Sequence, residues 1–188
     1  MLAGSPNQKT PLPYINHKCI GSNGYVVDSP SFPANPELCT VAVRSEVTFP
    51  SCWNGVDLDS PPPHSHVAYP VGNFMASPCP SSHPYRLPTV FFEGLFMVDQ
   101  AGFEAGDSLV YSYNDYEGHG FHGDFVNGWD EGKIESLLDY CTRDYDGSHK
   151  CGLFDGKVNP GPNGACQWEG SDDPEYYRGV WDNIPRYN

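Results

Sequence analysis

Five of the seven histidines fall in three short, turn-flanked segments, and these are the side chains best suited to chemistry. Residues 59–70 carry His64 and His66, residues 79–84 carry His83, and residues 118–130 carry His119 and His122. If the third segment is a strand over 120–126, then His122, Asp124 and Val126 share one face and Phe121, Gly123 and Phe125 share the other. An imidazole and a carboxylate so placed can pair, which fixes the tautomer and raises the basicity of the ring, as a general base requires. The flanking glycines would let a ligand approach the backbone closely. His66, His83, His122 and Asp124 are therefore the candidate catalytic set, with the three segments expected to converge on one pocket. Taken alone, His64 and His119 read as surface imidazoles.

Other chemistries draw on fewer residues. The same histidines and Asp124 would suit a divalent metal, although neither His64-x-His66 nor His119-x-x-His122 has a diagnostic spacing. Apart from such an ion, no cofactor is expected. A paired-carboxylate hydrolase would use Asp57, Asp59, Glu93, Asp124 or Asp130. Glu93 interrupts an apolar run, so it must pair with a cation such as Arg86 or carry a raised pKa. Trp53, Tyr69 and Trp129 have the apolar faces and polar edges that stack on sugar rings. Arg86, Asn127 and Asp59 would hold polar substituents beside them. There is no Gly-x-Ser-x-Gly elbow, P-loop, dinucleotide fingerprint or His-Glu-x-x-His.

The elements that position these residues are short. With 20 Gly and 19 Pro in 188 residues, the chain disfavours a helix bundle and favours loops with short strands. Residues 1–50 read as turn-rich with one strand near 40–49, and 51–88 as an ordered proline-rich loop. Residues 89–98 are the most apolar run and predict a central strand buried on both faces. Residues 108–113 alternate as a half-buried strand should. Asp130 caps a helix whose apolar stripe is Ile134, Leu137, Leu138 and Cys141. The expected fold is mainly β, a sandwich or jelly roll with long disulfide-tied loops and one short helix near 131–141. A single β-rich domain covers 1–154, with an irregular tail over 155–188 pinned by aromatics such as Trp168 and Trp181.

Seven cysteines without a zinc-type spacing point to disulfides and hence to an oxidising compartment. Neighbour pairing gives Cys19–Cys39, Cys52–Cys79 and Cys141–Cys151, with Cys166 left over. Extracellular location is inferred from this cysteine use, since the opening residues lack the basic start and apolar core of a leader. No apolar run approaches the length of a membrane helix. A formal charge of −14 excludes non-specific nucleic-acid binding and attraction to anionic lipid.

Four stretches occur in order: Phe49 to Pro61 around Trp53 and Asp59, Ser65-His66-Val67-Ala68-Tyr69-Pro70, Cys79 to Pro88 around His83 and Arg86, and Gly120-Phe121-His122-Gly123-Asp124-Phe125-Val126-Asn127-Gly128-Trp129-Asp130. Together they resemble a domain-of-unknown-function family of secreted, mostly fungal proteins, often joined to WSC-type cell-wall or carbohydrate-binding modules. The resemblance runs from Met1 to about Phe154. In that family further residues usually precede the opening stretch, and the histidine before the Ser-His-x-Ala-Tyr-Pro motif is spaced differently from His64. The resemblance implies an extracellular or cell-wall setting and no particular reaction. The combined expectation is a secreted protein acting on polysaccharide, as a hydrolase or lyase, with His122 or His66 as base and Asp124 orienting it. The alternatives are a non-catalytic carbohydrate-binding or cell-wall interaction module, and a metal-dependent enzyme using the histidines.

Overall fold

The computed structural model describes residues 1–59, 65–73, 77–98, 104, 106–129 and 131–140, without the side chains of residues 23, 131 and 137–140. All of its elements belong to one compact unit, Met1–Tyr145. His64, the Asp130 cap, Cys141, Cys151, Cys166 and the tail at 155–188 lie outside the described residues.

A four-stranded antiparallel sheet forms the frame. It consists of β2 (Ile15–Ile20), β3 (Val26–Ser29), β4 (Ala42–Thr48) and β8 (Phe91–Met97), in the order β3-β2-β4-β8. Side chains alternate across a strand, so Ile15, His17 and Cys19 of β2 point to one face, beside Val47, Ser45 and Val43 of β4. At one end of that face Ile15, Val47 and Phe49 bury against Ala3, Phe121 and Phe125; at the other Cys19 and Val43 bury against Cys39 and Val98. Between the two apolar clusters the layer is polar, with His17 and Ser45 paired across the strands. On the opposite face Lys18 lies 3.2 Å from Asp28, and Arg44 pairs with Glu46 and, at 2.9 Å, with Glu93. The partner of Glu93 is therefore Arg44, a diagonal neighbour on the adjacent strand, and not Arg86.

Two smaller sheets attach to this frame. β1 (Leu2–Ala3) pairs with β9 (Gly123–Asp124) and places Ala3 on the Ile15 cluster, which gives the sandwich-like layering. β5 (Cys52–Trp53), β6 (Val67–Ala68) and β7 (Tyr85–Arg86) make a three-stranded sheet with β5 in the middle. The disulfides Cys19–Cys39 and Cys52–Cys79 form as neighbour pairing predicts, closing loops at sequence separations of 20 and 27. One α-helix, α1 (Glu131–Tyr140), follows β9 where the Ile134 stripe places it. The fold is thus mainly β with two disulfides and one α-helix among the described residues.

Several local expectations are overturned. The apolar run at 89–98 forms the edge strand β8, and Phe91, Phe92, Leu95, Phe96 and Met97 are each at least 40% exposed. Such a run carries no alternation, so it says nothing about which faces are covered. Residues 108–113 do not form a strand, because Asn114 takes a left-handed φ of 64° and reverses the chain at a single Tyr111–Asp115 bridge. The strand expected over 120–126 is only Gly123–Asp124, the 1–50 region holds β2 and β3 besides β4, and the 51–88 loop contains the small sheet. Replacing Cys52 and Cys79 together with serine should lower stability by about 3.5 kcal/mol, the loop-closure entropy expected for this separation. Urea unfolding of oxidised wild type and variant checks it.

Candidate functional site

Two groups of exposed polar and aromatic side chains stand out, and each is held by structure the sequence did not announce. The first is on the small sheet. Asn54 closes a tight loop in which its Oδ1 accepts from the Val56 and Asp57 N–H groups and its Nδ2 donates to the Asp57 carboxylate at 2.8 Å. The Trp53 indole N–H donates to the Asp57 carbonyl at 2.6 Å, which fixes the ring. Gly55, with φ of 82°, lies beneath Tyr85, where any Cβ would collide with the phenol ring. Tyr85 is thereby fixed at 58% exposure, 5.9 Å from Trp53.

Around that pair, the structure gathers several of the residues expected from sequence. The Asn54 N–H donates to the His66 carbonyl at 3.0 Å. His83 donates from Nε2 to the Ser65 carbonyl and accepts at Nδ1 from the Ser82 hydroxyl, both at 2.9 Å. Arg86 is exposed and donates to the Ser77 carbonyl. Asp59 is exposed at the end of the Asn54 loop. Tyr69 belongs underneath: its ring stacks on Tyr14 at 4.3 Å and its hydroxyl donates to the Thr48 carbonyl, joining the small sheet to β4. Burial pushes its hydroxyl pKa above the ordinary tyrosine range, with Tyr14 adding to the shift.

The second group lies on the turn between Tyr111 and Asp124. Asp115, 7% exposed, accepts from three backbone N–H groups: those of Glu117 and Gly118 at Oδ1 and that of Gly120 at Oδ2. His17, fully buried, ties the turn to the sheet. A carbonyl can only accept, so His17 donates from Nε2 to Gly118 at 2.9 Å and accepts at Nδ1 from the Ser45 hydroxyl at 3.0 Å. Ser45 is in turn within 2.6 Å of the Tyr111 hydroxyl. A Cβ on Gly118 would stand 2.7 Å from His17 Nε2, so both its φ of 79° and its contact require glycine. His119 is also buried, contrary to its reading as a surface imidazole; it donates to the Lys9 carbonyl and accepts from Ser31.

On the outside of this turn the Tyr113 ring stacks on Tyr111 at 5.4 Å and meets His122 edge-on at 6.0 Å. His122, exposed, donates from Nδ1 to the Gly120 carbonyl at 2.7 Å, which leaves Nε2 without a partner among the described residues. His17, His83 and His119 each use both nitrogens. The expected pairing of His122 with Asp124 does not form: the Asp124 carboxylate lies 3.9 Å from the Met1 nitrogen. β9 ends at Asp124, and a carbonyl within the turn orients the imidazole instead. Asn127 and Trp129 follow, exposed, with Asn127 Oδ1 accepting from the Trp129 N–H. No three His, Cys, Asp or Glu side chains among the described residues are grouped so as to hold a metal. His66, His83, His122 and Asp124 are all described, so they do not share one metal cage.

A family model, described as a domain of unknown function (DUF1996), matches residues 1–129. The chain belongs to that family. The match takes in both groups and ends at Trp129, short of the Phe154 to which the resemblance was read. No curated protein and no solved structure matches the chain. Within this family domain, little in the residue pattern pointed to His17, Ser45, Asp115 or Tyr85. The alternation Ile15-x-His17-x-Cys19 is the one signal that could have placed His17 inside.

Desolvation holds the His17 pKa below the ordinary histidine value of about 6.5, and nearby His119 lowers it further; the Gly118 carbonyl, Asp115 and Glu46 oppose this without reversing it. Below about pH 6.5 the unfolded chain therefore binds a proton that the folded chain refuses, and stability falls as pH falls. The urea midpoint of wild type should drop more steeply than that of His17→Gln on acidification from about pH 7.5 to 5. At neutral pH His17→Ala should cost about 2–4 kcal/mol, since it leaves buried partners unpaired and a cavity.

Proposed function

We propose that this domain binds extracellular polysaccharide through the Trp53–Tyr85 face of its small sheet. The observation that carries the reading is the immobilised aromatic pair. Tyr85 is more than half exposed, yet its position is set by Gly55 below and Trp53 beside it, so stacking a sugar ring costs little side-chain entropy. The Asp57 carboxylate, Asp59 and Arg86 bring exposed polar groups to the same small-sheet region. The two disulfides support an oxidising, extracellular setting. No helix among the described residues is long and apolar enough to cross a membrane. The net charge of −14 disfavours polyanionic glycans, leaving neutral wall polymers as the favoured class.

A second reading, hydrolysis or elimination with His122 as general base, is favoured by the open Nε2 of that ring. In it the Gly120 carbonyl holds the tautomer that a carboxylate was expected to hold. Two measurements separate the readings. Pull-down on insoluble chitin, cellulose, mannan and curdlan should retain wild type, and Tyr85→Ala should lose at least about tenfold in affinity, the scale of one lost aromatic anchor. Release of reducing ends or unsaturated products that His122→Ala abolishes would establish the enzyme; retention without product establishes the binding domain. Failure of every polymer to retain the wild type would refute the binding reading.

A further inference from the structure

We infer that Tyr113 and His122 form a second sugar-binding subsite, which lets the domain grip one polysaccharide chain at two places. This rests on the binding function proposed for the Trp53–Tyr85 face. The Tyr113 ring is 38% exposed and lies against Tyr111, whose hydroxyl is tied through Ser45 to the buried His17. Asp115 immobilises the intervening turn by accepting from three backbone N–H groups. The exposed aromatic surface is thus as firmly fixed as Tyr85 is, by an independent set of contacts. Polar groups flank it: the His122 Nε2 can accept from a sugar hydroxyl, and the Tyr113 hydroxyl, its pKa pushed up to about 12 by burial and by Asp115, remains a donor at every working pH. An apolar ring face with one acceptor and one donor at its rim suits a neutral pyranose.

The two subsites are joined by one short stretch of chain between β4 and β5. The Phe49 ring meets Phe125 at 6.3 Å in the cluster against which Phe121 also packs, and the chain reaches Trp53 four residues after Phe49, a span of at most about 14 Å. A polymer that crosses this stretch can occupy both places, and the second contact then forms at high effective concentration.

The test compares short and long chito- and laminari-oligosaccharides by isothermal calorimetry, using wild type, Tyr85→Ala, Tyr113→Ala and His122→Ala. Wild type is expected to bind the long oligomers at least about tenfold more tightly than the short ones. Tyr113→Ala, and to a lesser degree His122→Ala, should erase that gain while binding through Tyr85 persists. Both positions are exposed, and near-UV circular dichroism verifies that the variants fold. If both variants keep the whole length dependence while Tyr85→Ala abolishes binding, the second subsite is refuted and the first stands. If wild type binds no oligosaccharide of any length, the underlying reading falls and takes this one with it.

Discussion

A fully buried, neutral imidazole in the middle of the core is the constraint on which the rest of the domain depends. His17 occupies a position where a β-sheet would ordinarily place an aliphatic side chain, between the Ile15–Val47 and Cys19–Val43 clusters. Its two nitrogens need partners there, because an unpaired buried polar group costs about 1–3 kcal/mol. Ser45 answers one from the adjacent strand and the Gly118 carbonyl answers the other from a turn about a hundred residues further along the chain. Satisfying that one ring therefore fixes where the 111–124 turn sits on the sheet. Phe32, Tyr111 and Phe121 then fill the space around it.

The domain consequently has two anchoring devices of different kinds. At the small sheet the anchor is partly covalent: the Cys52–Cys79 disulfide, aided by the Tyr69–Thr48 hydrogen bond, holds strands of only two residues each, which could not persist alone. At the turn the anchor is a hydrogen-bonded polar layer, built from His17, Ser45 and Asp115. Both devices present an exposed tyrosine on a rigid support, Tyr85 from the short strand β7 and Tyr113 from the turn after Tyr111. Membership of a family of unknown function leaves the ligand open, and the case for polysaccharide rests on the chemistry of these two surfaces.

Legibility in the sequence followed the range of the interaction. The cysteine pairs Cys19–Cys39 and Cys52–Cys79 were readable because the partners are near neighbours in the cysteine order. The strand near 40–49 was readable because its valines stand in a local pattern. Phe91–Met97 was readable as a strand but not as an edge, since neighbouring strands are chosen by the whole sheet. His122 and Asp124 stand at the right spacing for one strand face, yet the strand pairs over only two residues and the ring turns to Gly120. Tyr85 gave no signal, because its importance comes from Gly55, thirty positions earlier.

By itself, the sequence determined a mainly β, disulfide-tied, strongly acidic domain with one helix, since composition, cysteine order and short-range periodicity act locally. Only the tertiary structure decided that His17 and His119 are buried supports and that His122 keeps a nitrogen without a partner among the described residues. That distinction depends on hydrogen-bond partners such as Gly118, Lys9 and Ser65, which are backbone or small polar groups brought together by folding, and no local pattern of residue types encodes them.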